Sequence, residues 1–189
     1  MDQGLNWDVA RALSGFAGHN PLVDAIGTAA ATDLIFVVVL SAAIWWFWPI
    51  ANDAGKRALL AAMVAVVGGQ ALNVLIGHFL FVPRPFVAHQ VHLLVKAAQD
   101  SSFPSDHATA AFAVATTALL RRMPGRHLLL LGAVVIAFAR VYVGAHYPAD
   151  VIAAAGLGTM WAALILKLDS RLTHPYHLVI STARRLHLG

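Results

Sequence analysis

The segment ALLAAMVAVVGGQALNVLIGHFLFV, residues 58–82, carries no formally charged side chain. An α-helix rises 1.5 Å per residue, so about 20 apolar residues cross the roughly 30 Å hydrocarbon core of a bilayer. This stretch therefore reads as a membrane span. Outward from it, residues 27–48, 105–120, 128–145 and 148–166 read as four more, the 105–120 span being short and rich in Ala and Thr. The composition agrees. Of 189 residues, 59% are hydrophobic and 12% charged, about half the roughly 25% charge of a soluble domain. A soluble fold could not cover itself with so few charges. Disorder, coiled coils and most nucleic-acid binders are excluded on the same ground. With no cysteine in the chain, there is no disulfide framework, thiolate metal site or cysteine nucleophile. The expected fold is an all-α integral membrane protein with five transmembrane helices. No repeat or linker divides it, so residues 1–189 read as one domain.

Residues 1–26 do not make a span, because Asp8, Arg11, His19 and Asp24 interrupt them and His19-Asn20-Pro21 breaks a helix. No basic segment precedes a hydrophobic core, so a cleaved leader is not expected. Val9, Leu13 and Phe16 recur at helical spacing and predict an amphipathic helix at the membrane interface. Short helices are expected in the long loop after the second span. Lys56, Arg57, Arg121, Arg122, Arg126, Lys167, Arg171, Arg184 and Arg185 fall on the side reached after the first span. Only Arg11, Arg84, Lys96 and Arg140 fall on the other. The positive-inside rule makes the nine-cation side cytoplasmic. The N-terminus and the loop 83–104 then lie outside.

Three chemically distinctive segments all reach that outer side. The first is Pro83-Arg84-Pro85-Phe86. The second is Phe103-Pro104-Ser105-Asp106-His107. The third runs from Arg140 through His146 to Asp150. Arg84 between two prolines is a stiffly held guanidinium, suited to a phosphate or to a lipid headgroup. Ser105 reads as the N-cap of a helix whose first N–H groups form an anion site; a plain cap is the alternative. His107 in the first turn is a candidate general acid. Arg140 lies inside the fourth span, where a charge is costly and functional by default. Asp150, four residues after His146 and across Pro148, is placed to orient the imidazole; a buried Arg–Asp pair beside a bystander histidine is the alternative. Together, arginines, a helix N-terminus and two histidines suit phosphoryl transfer, with one histidine attacking phosphorus and the other protonating the leaving oxygen. No carboxylate cluster for paired metals occurs on this side, so no metal and no cofactor is expected.

These segments resemble the signature of the type 2 phosphatidic acid phosphatase superfamily, whose pattern is Lys, six residues, Arg-Pro; then Pro-Ser-Gly-His; then Ser-Arg, five residues, His, three residues, Asp. Arg84-Pro85, Pro104-Ser105-Asp106-His107 and Arg140, His146 and Asp150 match it. Gly77 stands in place of the first Lys, Asp106 in place of Gly and Ala139 in place of Ser. His78 or Lys96 is a candidate replacement for the missing cation. The opening 15–24 and the runs 83–89 and 103–107 resemble one branch, the undecaprenyl-pyrophosphate phosphatases of the bacitracin-resistance type. That branch also carries Asp after the motif serine and lacks the Lys.

The resemblance implies hydrolysis of a polyprenyl diphosphate to its monophosphate for cell-wall synthesis, in a bacterial cytoplasmic membrane with the site facing the periplasm or exterior. It implies His146 as nucleophile, Asp150 as its orienting partner and His107 as acid. Arg84, Ser105, Asp106 and Arg140 are then the substrate-binding residues. The implied partners are the diphosphate lipid and membrane lipids; no nucleic acid is expected, and the sequence leaves the oligomeric state open.

Phosphatidate or phosphatidylglycerol-phosphate hydrolysis, or transfer of phosphate to another lipid, would use the same residues. A non-catalytic lipid-phosphate carrier would need charges lining a path across the bilayer, and the inner halves of the spans have few. Among weaker signals, His89 and His92 would share a face if a short helix ran through them, and a metal site there lacks a third ligand. Trp45, Trp46 and Trp48 suggest an interfacial belt. Gly69, Asn73 and Gly77, at spacing four, predict close helix packing. His174 and His177 read as surface residues of a cytoplasmic tail.

Overall fold

The structure, a computed structural model, describes residues 4–47 and 52–186. Its regular elements are all helical: α1 Gly4–Ser14, α2 Pro21–Thr32, α3 Leu34–Phe47, α4 Asn52–Phe79, α5 Pro85–Ala88, α6 Asp106–Leu120, α7 Arg126–Tyr142, α8 Pro148–Lys167 and α9 Asp169–Arg185. By length and composition, α4 and α8 can each cross a membrane, and α2 with α3 makes a third candidate if the pair counts as one span. The expected first span is thus not one straight helix. It bends by 48° at a break, where the charged Asp33 forms the C-cap of α2 and Thr32 Oγ1 donates to its carboxylate. The helices α6 and α7, of 15 and 17 residues, are about 22 and 25 Å long.

The apolar surface faces outward. Phe36, Leu40, Val67, Val74, Leu128, Leu131, Phe138, Ile152 and Met160 are all exposed. So many exposed large apolar side chains are expected of a wall in contact with lipid rather than water.

Helix α6 is the centre, packed on α4, α7, α8 and α3. Ala108, Ala111, Ala115 and Ala118 are buried along it, and their small side chains let neighbouring backbones approach. The approach is closest at Gly158 of α8, where an added Cβ would strike the Thr109 carbonyl and come within 3.1 Å of the Ala113 nitrogen. Gly158→Ala is therefore expected to destabilise the fold by about 1–3 kcal/mol through overpacking. Thermal unfolding in detergent checks this; an unchanged midpoint would mean that α8 shifts freely. The small-and-polar stripe of α4 also packs closely. Gly69 lies against Thr109, and Asn73 exchanges hydrogen bonds with Thr109 Oγ1.

The first and last helices both pack on the bundle. The N-terminal helix α1 packs on α7 and α8, and Asn6 Oδ1 accepts from the Ala149 N–H at the start of α8 (3.0 Å). The expected tail is the helix α9, which buries Tyr176, Ile180 and Ala183. Arg184 pairs with Asp53 of α4, and Arg121 pairs with Asp169 at 2.7 Å. His174 and His177 are exposed on it. Trp45 is not part of an interfacial belt: it is 2% exposed in the core, and its Nε1 donates to the Pro124 carbonyl at 3.4 Å. Trp46 lies beneath Lys56 Nζ, 5.4 Å from its ring centroid. Trp48 lies outside the described residues.

Candidate active site

His146 sits in the turn between α7 and α8, 2% exposed. The turn folds tightly because Gly144 takes φ +80°, a conformation open to glycine at little cost. Pro148 then starts α8, and Asp150 reaches back to accept from the Tyr147 N–H (2.8 Å), as an acidic residue in the first helical turn does.

Three segments distant in sequence converge on the imidazole. Arg84 Nη1 lies 3.0 Å and Arg140 Nη2 3.3 Å from His146 Nε2. On the other edge, Nδ1 is 2.8 Å from the backbone carbonyl of Ser102. Guanidinium groups only donate and a carbonyl only accepts. The tautomer follows: Nδ1 carries the proton and gives it to Ser102 O, while the Nε2 lone pair faces two cations.

Asp150 Oδ2 is 3.6 Å from Nδ1, beyond hydrogen-bond length. The carboxylate instead accepts from Ser102 Oγ and the Tyr147 N–H. The expected Asp–His contact is therefore an ion-pair distance, and a backbone carbonyl is the closer partner of the ring.

Burial pushes the imidazole below its ordinary value of 6.5. The Asp150 carboxylate works against that, and Arg140 and Arg84 reinforce it. A lowered value keeps the ring neutral to more acid pH. If the neutral ring is required, the acid limb of kcat/KM should lie below pH 6.5. A pH series of phosphate release tests this; a limb above pH 6.5 would contradict it.

The arginines are both buried. Arg84 Nε donates to Asp100 Oδ1 at 2.9 Å, and Nη1 also reaches the Ala145 carbonyl. Arg140 lies in the last turn of α7, which ends at Tyr142, and its Nη1 donates to the Ala31 carbonyl of α2 at 3.3 Å. Its Nε is buried without a hydrogen-bond partner among the described residues.

Ser105 is the N-cap of α6 by position and backbone angle, yet its hydroxyl makes no cap bond. That Oγ is likewise buried and unpartnered. The Ser105 N–H donates to the Asp150 carbonyl at 3.4 Å, which seats the start of α6 on the start of α8. His107, half-buried in the first turn of α6, lies within electrostatic reach of Arg140, His146 and Arg84.

Asp106 departs from this convergence. Its carboxylate accepts from Asn73 Nδ2 of α4 at 2.7 Å, and Gln70 Nε2 donates to its carbonyl at 2.9 Å. It lines a neighbouring cavity of about 360 Å³ with Asn73, His78 and Asp100. Asp106 thus ties α6 to α4.

Gly77 faces Ser101, whose Cβ would lie 3.2 Å from a Cβ at that position, so the loop 100–102 occupies the space beside it. His78 lines the Asp106 cavity, and Lys96 is exposed on the outer loop. His89 and His92 lie beyond the four-residue α5 and do not share a helical face. His89 stacks on Trp7 at 3.7 Å, and His92 packs against Gly18. Among the described residues, no three His, Cys, Asp or Glu side chains group to hold a metal ion.

Ser102 and Asp100 were not singled out from sequence. Their one signal is position, in a polar run just ahead of Phe103-Pro104-Ser105.

Comparison with known proteins assigns the chain to a family. The PAP2 superfamily matches residues 58–173. The chain is 36% identical over 164 residues to the undecaprenyl-diphosphatase BcrC of Bacillus subtilis, covering 86% of this chain and 80% of that protein. It is 31% identical to the putative undecaprenyl-diphosphatase YbjG of Escherichia coli, over 93% of this chain and 92% of the relative. The crystal structure of Aquifex aeolicus LpxE superposes with a TM-score of 0.66 at 26% identity, over 88% of this chain and 97% of the other. With all three motif segments meeting at His146 and the match spanning most of the helical core, the chain belongs to the PAP2 superfamily of membrane phosphatases.

Proposed function

We propose that the chain is an undecaprenyl-diphosphate phosphatase, one domain over residues 1–189 with five spans and its site on the outer face of a bacterial cytoplasmic membrane. The observation that carries the chemistry is the His146 ring, with its Nδ1 proton held by a carbonyl and its Nε2 lone pair between two guanidinium groups. A terminal phosphoryl group approaching Nε2 meets Arg84 and Arg140, which take over its oxygens and stabilise the charge that develops in transfer. The unpartnered Ser105 Oγ and Arg140 Nε are two further buried donors. Nε2 forms a bond to phosphorus as the bridging P–O bond breaks. His107 protonates the departing monophosphate oxygen. Water then attacks phosphorus, releases inorganic phosphate and restores His146. No step calls for a cofactor.

The substrate assignment rests on relatives at 36% and 31% identity that carry the undecaprenyl-diphosphatase name. Purified protein tested with undecaprenyl diphosphate, phosphatidate and phosphatidylglycerol phosphate is expected to favour the diphosphate by at least about tenfold in kcat/KM. Equal or better turnover of a phospholipid would move the assignment to the same-fold alternatives.

The orientation rests on charge. Of the four outer cations, Arg84 and Arg140 are buried within the protein, which leaves the outer surface poorer still in positive charge. A cysteine at the exposed Gln90 should label from outside intact cells, and a reporter after Gly189 should read cytoplasmic. Labelling only after permeabilisation would reverse the topology.

Phosphate release should also survive exhaustive EDTA treatment, because the site is built on arginines and histidines and, among the described residues, no three metal-binding side chains group together. Complete loss restored by one divalent ion would overturn the metal-free route.

A further inference from the structure

Ser102 is fully buried, and each of its polar groups is engaged with a different part of the fold. Its N–H donates to the Val82 carbonyl at 2.7 Å. Its carbonyl takes the Nδ1 proton of His146 at 2.8 Å, and its hydroxyl donates to Asp150 Oδ2. The segment is held in place from below. Ser101 Oγ accepts from the Val82 N–H at 3.2 Å and donates to the Phe103 carbonyl at 3.1 Å. The small Gly77 leaves room for the Ser101 side chain. Asp100, on the same tripeptide, holds Arg84. One short loop thus touches the proposed nucleophile, its carboxylate and a guanidinium.

We propose that Ser102 is a positioning residue for catalysis, coupling Asp150 to His146 by donating its hydroxyl to the carboxylate while its carbonyl fixes the imidazole proton. When Nε2 bonds to phosphorus the ring becomes cationic. The Ser102 carbonyl dipole meets that charge directly. The Asp150 charge acts from 3.6 Å away, and the serine hydroxyl sets where that carboxylate stands. The coupling therefore acts in the transition state and should appear in kcat more than in KM. The inference rests on His146 being the nucleophile.

The charged and titratable groups around His146 are Arg84 with its partner Asp100, His107 of α6, Arg140 of α7 and Asp150 of α8. Deleting the Ser102 hydroxyl leaves the Asp150 anion less solvated beside the ring. That favours the protonated imidazole, so the acid limb of the pH profile should move to higher pH.

The experiment compares the full-length wild type, Ser102→Ala, Ser102→Thr and His146→Ala in detergent, with phosphate release from a polyprenyl diphosphate followed across pH. Ser102→Ala is expected to lose about 10- to 100-fold in kcat, the scale of one hydrogen bond to a charged group. KM should be nearly unchanged and the acid limb raised, and Ser102→Thr should recover most of the rate. The limb's position does not depend on how much enzyme is folded, so it decides the matter even if Ala or Thr lowers the yield. An unmoved limb overturns the proposal, as does a kcat within about threefold of wild type or a well-folded Ser102→Thr no better than Ser102→Ala. An active His146→Ala overturns instead the reading on which it rests.

Discussion

His146→Ala is expected to reduce phosphate release to background, a loss of at least about 10⁴-fold, as removal of a nucleophile does elsewhere. It should also abolish any acid-labile phosphoenzyme. The His146 Nε2 lies within hydrogen-bond distance of both Arg84 Nη1 and Arg140 Nη2. Trapping with radiolabelled substrate is the measurement, and phosphate found on His107 would reverse the two histidines' roles. Asp150→Asn provides the companion test. Where a carboxylate alone sets the tautomer, its amide costs roughly 10⁴-fold, because the ring turns to the wrong tautomer. Here the Ser102 carbonyl already holds the Nδ1 proton. Asp150→Asn should therefore cost well below that figure. A full loss in a folded protein would show that the charge, rather than the carbonyl, governs the ring.

His107→Ala should separate substrates by their leaving groups. General acid catalysis contributes about 10²–10⁴-fold where the departing oxygen needs a proton. An alkyl phosphate such as phosphatidate expels an alkoxide, which needs one. A polyprenyl diphosphate expels the polyprenyl monophosphate, and an aryl phosphate a stable phenolate, and both are far weaker bases. The variant should lose the full factor on the alkyl ester and much less on the other two. His107 stands in the first turn of α6, within electrostatic reach of Arg84, Arg140 and His146. Equal losses on all three substrates would assign His107 to phosphate binding instead.

The alternation of apolar runs with loops determined a great deal without any coordinates. It placed Arg84, Ser105, His107, Arg140, His146 and Asp150 at one end of a helical bundle, because each lies at a run boundary of the same parity. The proline at 148 and the spacing from Arg140 to Asp150 are local, so their reading survived folding almost intact. What only the tertiary structure decided involves contacts between segments far apart in sequence. The bend at Asp33 lets α2 lean over α7, where the Ala31 carbonyl meets Arg140, and no hydropathy window registers a break of one residue. The hold on the Asp106 carboxylate comes from the amide of Asn73, 33 residues away on α4. Trp45 is buried by its neighbours, not by its own position near a span end. The closest partner of the His146 proton is a backbone carbonyl 44 residues away. Every residue has such a carbonyl, so side-chain chemistry cannot mark this one. Only the packing of α4, α6 and α8 brings the loop that carries it to the ring.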